Sequence, residues 1–74
     1  MTNIFVGNLS FQTTQEELYS VFANYGNVER VNIVTDRDTG QSRGFAFVEM
    51  TERTDAEAAI SQLHGAELHG RALN

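Results

Sequence analysis

The sequence predicts an α+β fold with the element order β-α-β-β-α-β. Segments with the period-two alternation of strands and segments with the i, i+3, i+4 spacing of helices follow one another along the chain. Clusters of glycine and polar residues separate them. Two segments open with the same capping-box pattern of a helix start. This order predicts one four-stranded antiparallel sheet with both helices on one face.

The first strand is predicted over residues 3–9, where β-branched and aromatic residues dominate. A helix is predicted to follow Thr14. The Thr14 hydroxyl can accept a hydrogen bond from the Glu17 N–H, and the Glu17 side chain can accept one from the Thr14 backbone N–H. The residue after the helix, Gly26, is expected in a left-handed conformation. The apolar stripe of this helix is formed by Leu18, Val21, Phe22 and Tyr25.

Two further strands are predicted over residues 28–35 and 44–50. The polar turn between them, residues 36–42, contains Gly40, which can adopt the positive φ that such a turn needs.

A second capping box at residues 54–57 predicts another helix, which Gly65 closes. Its apolar stripe is formed by Ala56, Ala59, Ile60 and Leu63. Leu68 and residues 71–74 are interpreted as a short last strand. The order is that of a ferredoxin-like fold, and we expect a single domain over residues 1–74, truncated within its last strand.

Alternation along the strands divides their side chains between the two faces of the sheet. The face under the helices should take Ile4, Val6, Val31, Ile33, Ala46, Val48, Met50 and Leu73. The other face should take Asn3, Phe5, Asn32, Val34, Phe45, Phe47, Glu49, Ala72 and Asn74. Three of the five phenylalanines thus fall on the uncovered face, and such clusters usually mark a binding site.

The sequence allows two interpretations of these three rings. A C-terminal helix, a second domain or a second copy of the chain can cover them. Alternatively, the rings form a platform on which nucleobases stack, each stack contributing about 1–3 kcal/mol.

Charge and composition narrow the class of protein. Ten carboxylates against five arginines give a net charge of −5, which argues against non-specific nucleic-acid binding. The chain has no cysteine, so it lacks disulfides and thiolate zinc ligands. No apolar stretch approaches the roughly 20 residues of a membrane span. We expect a cytoplasmic protein, or a nuclear or organellar one in a eukaryote.

Catalytic and metal-binding patterns are missing from the sequence. It has no nucleophile elbow and no glycine-rich phosphate loop with lysine. The Asp36-to-Gly40 segment departs from the spacing of a calcium loop, and His64 and His69 have no carboxylate triad around them. We predict that the chain is not an enzyme and needs no cofactor or metal.

Two strand motifs carry a family resemblance. Residues 4–9, Ile-Phe-Val-Gly-Asn-Leu, resemble the hexamer of the RNA-recognition motif. Residues 43–50 match its octamer at seven of eight positions, the departure being Met50. The resemblance covers the whole chain, and the short form resembles the single-motif RNA-binding proteins of cyanobacteria and the glycine-rich RNA-binding proteins of plants.

The resemblance implies a role for individual residues. Phe5 would stack one base, while Phe45 and Phe47 would stack a second base and pack against a ribose. Arg43 would pair with a phosphate, and Arg37 is a candidate for a second phosphate contact. The candidate readers of base edges are Asn3, Asn32, Glu49 and Asn74.

The function expected from these observations is single-stranded RNA binding in post-transcriptional regulation; the sequence leaves open whether single-stranded DNA binds as well. The alternative is a protein–protein interaction module that uses the same sheet face, which the acidic balance favours. We expect a monomer that self-associates weakly through a shortened edge strand.

Overall fold

The structure is a computed structural model that describes residues 1–65, 67–68 and 71–72. Its elements confirm the predicted order through the second helix. They are β1 (Thr2–Val6), α1 (Gln15–Ala23), β2 (Val28–Thr35), β3 (Ser42–Met50), α2 (Arg53–Leu63), β4 (Glu67–Leu68) and β5 (Arg71–Ala72).

The main sheet has β3 at its centre, antiparallel to β1 on one side and to β2 on the other. Val48 of β3 lies opposite Ile4 of β1 and Val31 of β2, which fixes the register. Among the described residues this sheet has three strands, where four were predicted. The short β4 and β5 pair with each other instead, and Leu73 and Asn74 lie outside the described residues.

The ends of two strands differ from the prediction because of contacts between distant segments. β1 ends at Val6, because Asn8 turns the chain with a φ of 57° and the next residue, Leu9, donates its N–H to the Gly44 carbonyl at 2.8 Å. β3 begins at Ser42, two residues earlier than predicted, because Ser42 pairs with Thr35. The predicted bounds of β2 are confirmed.

The predicted capping box of α1 is confirmed. The Thr14 hydroxyl accepts a hydrogen bond from the Glu17 N–H at 3.2 Å, and the Thr14 N–H donates to Glu17 Oε1 at 3.0 Å. Both bonds satisfy backbone donors that no preceding turn of helix can serve. The helix accordingly begins at Gln15.

The capping box predicted at residues 54–57 is wrong. α2 begins at Arg53, and its cap residue Glu52 makes no side-chain hydrogen bond to the helix. The start is set by Thr51, which donates its N–H to the Asn27 carbonyl at 3.1 Å and accepts from the Asn27 side-chain amide at 2.7 Å. Thr54 therefore falls inside the first helical turn and not at the cap position.

Gly26 has a different role from the one predicted. It lies three residues beyond the end of α1 and has a φ of 158°, which is nearly extended rather than left-handed. A Cβ on Gly26 would overlap the Asp55 side chain of α2. The glycine is therefore required for close approach between two segments far apart in sequence. Gly40 and Gly65 do adopt the predicted positive φ, at 74° and 83°.

Both helices pack on the same face of the sheet, as predicted. The buried core is formed by Ile4, Val6, Leu9, Leu18, Phe22, Val28, Ala46, Val48, Met50, Ala56 and Ala59. Val31 and Ile33 are partly buried against it. Neither helix in the described part of the chain is long and apolar enough to cross a membrane.

One residue of the predicted apolar helix stripes, Ile60, is not part of the buried core. The side chain of Ile60 is 48% exposed, although the i, i+4 spacing from Ala56 predicted burial. The small residues Ala56 and Ala59 are fully buried and let α2 approach the sheet closely. Ile60 is left at the flank of the helix, where it lines an apolar recess beside β1 together with Phe22 and Leu63.

Candidate nucleic-acid interface

Three phenylalanine rings form a cluster on the sheet face opposite the helices. Phe5 of β1 lies directly across from Phe47 of β3, with ring centroids 5.7 Å apart. Phe45 contacts both rings, at 5.6 Å from Phe5 and 6.4 Å from Phe47. The cluster arises because the strand alternation that buries Ile4 and Val6 turns Phe5 outward.

The rings are accessible and held in place by one another. Phe5 is 56% exposed and Phe47 is 41% exposed, while Phe45 is partly buried. Phe47 meets the other two rings edge-on, at interplanar angles of 66° and 89°. Such contacts are favourable for aromatic quadrupoles and restrict ring motion. The face therefore offers rigid aromatic surface to a flat ligand.

A row of polar side chains lies next to the rings. Asn3 and Arg30 are the register partners of Glu49 on β1 and β2, and Asn32 is the β2 partner of Phe47. The Arg30 Nε lies 3.8 Å from Glu49 Oε2. Among the described residues, no hydrogen bond engages the side-chain amides of Asn3 and Asn32. The three predicted edge readers in the described chain thus surround the rings.

Arg43 lies at one end of this face, on the strand that carries Phe45 and Phe47. It is exposed, and together with Phe11 and Asn8 it lines a concave polar surface beside the β1–α1 loop. The following residue, Gly44, has a φ of 86°, a conformation that favours glycine and displaces the strand locally. The arginine side chain is therefore available to a ligand that crosses the rings.

The charge of Arg43 acts on Asp36, which lies in the turn between β2 and β3. The backbone N–H groups of Asp38 and Thr39 donate to its carboxylate at 2.8 and 3.1 Å. These bonds, and the charge of Arg43, lower the pKa of Asp36 from its ordinary value of 3.8. The negative charge near Arg43 consequently persists in weakly acidic solution.

The remaining predicted site residues are less well connected. Arg37 is exposed in the same turn. No polar contact among the described residues links it to the side chains around the three rings. Asn74 lies outside the described residues. No group of three or more metal-ligating side chains comes together within the part of the chain that the structure describes.

Two residues of this surface were missed from the sequence. Arg30 lies on the open face, and alternation extended backwards by two residues from Asn32 would have found it, because the register between Arg30 and Asn32 is regular. Phe11 is 75% exposed beside Arg43. The sequence feature that could have identified Phe11 is an aromatic residue inside the otherwise polar loop that follows β1.

Known proteins resemble this chain in sequence and in fold. The family model of the RNA recognition motif matches residues 4–74. The chain belongs to the RNA recognition motif family. The resemblance of its two strand motifs is thereby confirmed, and because proteins of this family are not enzymes, so is the prediction of a non-enzymatic chain. Met50, the departure from the octamer, is fully buried and so affects the core rather than the open face.

Relatives of this domain occur in cyanobacteria and plastids. It is 57% identical over 70 residues to RbpD of Nostoc sp., a protein named for RNA binding, covering 95% of this chain and 74% of that protein. It is 50% identical to the chloroplastic 29 kDa ribonucleoprotein A of Nicotiana sylvestris, covering 95% of this chain and 26% of that protein.

Solved structures of this fold superpose closely on the domain. The crystal structure of RNA Binding Protein PG1 has a TM-score of 0.97 and 44% identity, over 100% of this chain and 89% of that one. A Sxl-lethal protein–RNA complex has a TM-score of 0.92 and 37% identity, over 99% of this chain and 45% of that one.

Proposed function

We propose that this domain binds single-stranded RNA on the open face of its sheet, with bases stacked on Phe5 and Phe47. The observation that carries the proposal is the cluster of three mutually contacting rings, two of them well exposed, on the face that the helices leave open. Every base has a π-face, so each stack contributes about 1–3 kcal/mol with little dependence on sequence.

The negative net charge of the domain limits how strongly it can hold the phosphate backbone of RNA. With a net charge of −5 the domain repels RNA at long range, so stacking must supply most of the binding free energy. Arg43 is the phosphate contact that the geometry supports best, because it is exposed on the strand that carries two of the rings. Arg37 is a second, weaker phosphate contact in this proposal, made by a strand of RNA that extends over the turn.

The relatives support this function and indicate its setting. RbpD is named for RNA binding, the Nicotiana protein is a ribonucleoprotein, and the Sxl-lethal structure contains RNA. We propose that this domain takes part in post-transcriptional regulation, in the cytoplasm or, in a eukaryote, in an organelle.

The direct test is fluorescence anisotropy with a labelled mixed-sequence octaribonucleotide. Phe47→Ala should raise Kd by about 5- to 150-fold, the equivalent of one lost stack. Tyr19→Ala is the matched control, because Tyr19 is an exposed aromatic residue, 49% accessible, on α1 and so on the opposite side of the sheet. Its Kd should stay within about twofold of the unaltered protein, as expected for a surface change away from the site.

The same titration decides between the two functions considered from the sequence. Absence of binding at millimolar RNA would favour a protein partner on this face. Equal losses for Phe47→Ala and Tyr19→Ala would show that RNA binds without stacking on Phe47. The deoxyribonucleotide of the same sequence, titrated in parallel, measures how far single-stranded DNA competes.

A further inference from the structure

One row of the open face is polar across all three strands. Asn3 of β1 and Arg30 of β2 both lie opposite Glu49 of β3. The neighbouring row contains Phe5 and Phe47. Side chains two residues apart on one strand face stand about 7 Å apart, close to the width of a base. The edge of a base stacked on Phe47 can therefore lie over Glu49.

The Glu49 carboxylate has free capacity to accept hydrogen bonds. Its contact with Arg30, 3.8 Å from Oε2 to Nε, is longer than a hydrogen bond. The Glu49 side chain is 25% exposed and the Arg30 side chain 72% exposed. Among the described residues, this ion pair is the only polar contact of the Glu49 side chain. A carboxylate held beside the stacking platform thus keeps lone pairs available for donors on the ligand.

The chemistry of the four bases makes this row selective. A carboxylate accepts two parallel hydrogen bonds. Guanine alone presents two adjacent donors, N1–H and the N2 amino group, on its Watson–Crick edge. Uracil presents one N–H between two carbonyl oxygens, which a carboxylate repels, and adenine and cytosine place an acceptor nitrogen beside their amino group. Guanine also has the O6 acceptor, which suits a guanidinium or amide donor.

We propose that the row of Asn3, Glu49 and Arg30 makes this domain selective for guanine at the base stacked on Phe47. Glu49 accepts from guanine N1–H and N2–H, while Arg30 or Asn3 donates to O6. The inference rests on the proposed RNA-binding function and adds the identity of one base to it. It also explains why an acidic side chain, Glu49, lies on a surface that binds a polyanion.

The test uses hexauridylate and three hexamers in which one central uridine is replaced by guanosine, adenosine or inosine. The unaltered protein should bind the guanosine hexamer at least about fivefold more tightly than hexauridylate, as expected for one bidentate contact. The inosine hexamer should bind more weakly than the guanosine hexamer, because inosine lacks the N2 amino group. This comparison needs no protein variant.

Two protein variants complete the experiment. Glu49→Gln keeps the shape of the side chain but has a single acceptor oxygen, so the guanosine preference should fall to within about twofold. Glu57→Gln makes the same change of charge on α2, where Glu57 pairs with Arg53 at 3.4 Å, and should leave the preference intact. Thermal unfolding of each variant checks that its fold is retained.

The outcomes separate the guanine site from the function on which it rests. Binding to all hexamers with equal affinity would overturn the guanine site and leave RNA binding standing. Equally tighter binding of every hexamer by Glu49→Gln would overturn it too, because Glu49 would then act only by repulsion. If no hexamer binds at millimolar concentration, RNA binding and the guanine site both fall.

Discussion

Phe5 and Phe47 are register partners across β1 and β3, and their rings meet at a centroid distance of 5.7 Å and an interplanar angle of 66°. The contact is edge-to-face, so each ring restrains the other while remaining accessible to a ligand. A base that stacks here meets a platform whose conformational entropy has already been lost on folding. Affinity should therefore depend on the pair more than on either ring alone.

A double-mutant cycle measures this dependence. Phe5→Ala and Phe47→Ala should each weaken binding of a short RNA by about 1–3 kcal/mol. The double variant should lose less than the sum, because each single change already releases the remaining ring. Anisotropy titrations at one fixed salt concentration give the three values. Strictly additive losses would show that the ring contact does not organise the site.

Arg43 should account for one phosphate contact in the salt dependence of binding. For single strands the slope of log Kobs against log salt concentration is about −0.7 per phosphate neutralised, so one or two contacts give a shallow slope. Arg43→Gln should reduce the magnitude of that slope by about 0.7.

Arg53→Gln is the matched control for this measurement. Arg53 is an 83% exposed arginine on α2, away from the open face, and its removal should leave the slope unchanged. A slope in the unaltered protein that corresponds to five or more phosphates would contradict the proposed binding mode, because the chain has five arginines and no lysine, and one of the arginines, Arg53, lies on α2.

The turn between β2 and β3 should respond to acid through Asp36. Its pKa is lower in the folded chain than its ordinary value of 3.8, chiefly because the N–H groups of Asp38 and Thr39 stabilise the carboxylate. Between the two pKa values the unfolded state binds more protons, so the stabilisation is complete above about pH 4 and is lost as pH falls through the folded pKa. Carbon-detected NMR titration should place the Asp36 midpoint below 3.8.

Asp36→Asn provides the control for the acid response. An asparagine oxygen can accept the same two backbone bonds, so the turn is retained while the titrating group is removed. The variant should lose the Asp36 part of the pH dependence of unfolding. It should also bind RNA slightly more tightly at neutral pH, because a negative charge near Arg43 is gone. An Asp36 midpoint at or above its ordinary value would rule out this account of the turn.

The two threonines in capping-box patterns should differ in their effect on stability. Thr14→Ala removes an observed cap and should lower the free energy of unfolding by about 0.5–2 kcal/mol. Thr54→Ala changes a residue inside the first turn of α2, where alanine is the better helix former, and should cost nothing. Urea denaturation of both variants measures the difference; equal losses would mean that Thr54 caps its helix after all.

Features governed by local alternation were predictable from the sequence. The inward and outward faces of the strands followed from the period of two, so Phe5, Phe45 and Phe47 were placed on the open face from the sequence alone. The Thr14 cap was equally local, since donor and acceptor are three residues apart.

Features set by contacts between distant segments were not predictable in the same way. The start of α2 depends on hydrogen bonds between Asn27 and Thr51, 24 residues apart. The need for Gly26 arises from Asp55, which only the fold brings near. The charge of Arg43 acts on Asp36 across the turn between β2 and β3. Each depends on a tertiary relationship that no local pattern encodes.

The most direct test of RNA binding by the open face is an NMR titration that follows the phenylalanine ring signals as a short single-stranded RNA is added. Stacked bases should shift the ring signals of Phe5 and Phe47 upfield and perturb Phe45, while the buried ring of Phe22, on the helix side of the sheet, should stay unchanged. Unmoved signals of Phe5 and Phe47 at millimolar RNA, or shifts confined to residues of α1 and α2, would contradict the proposed site.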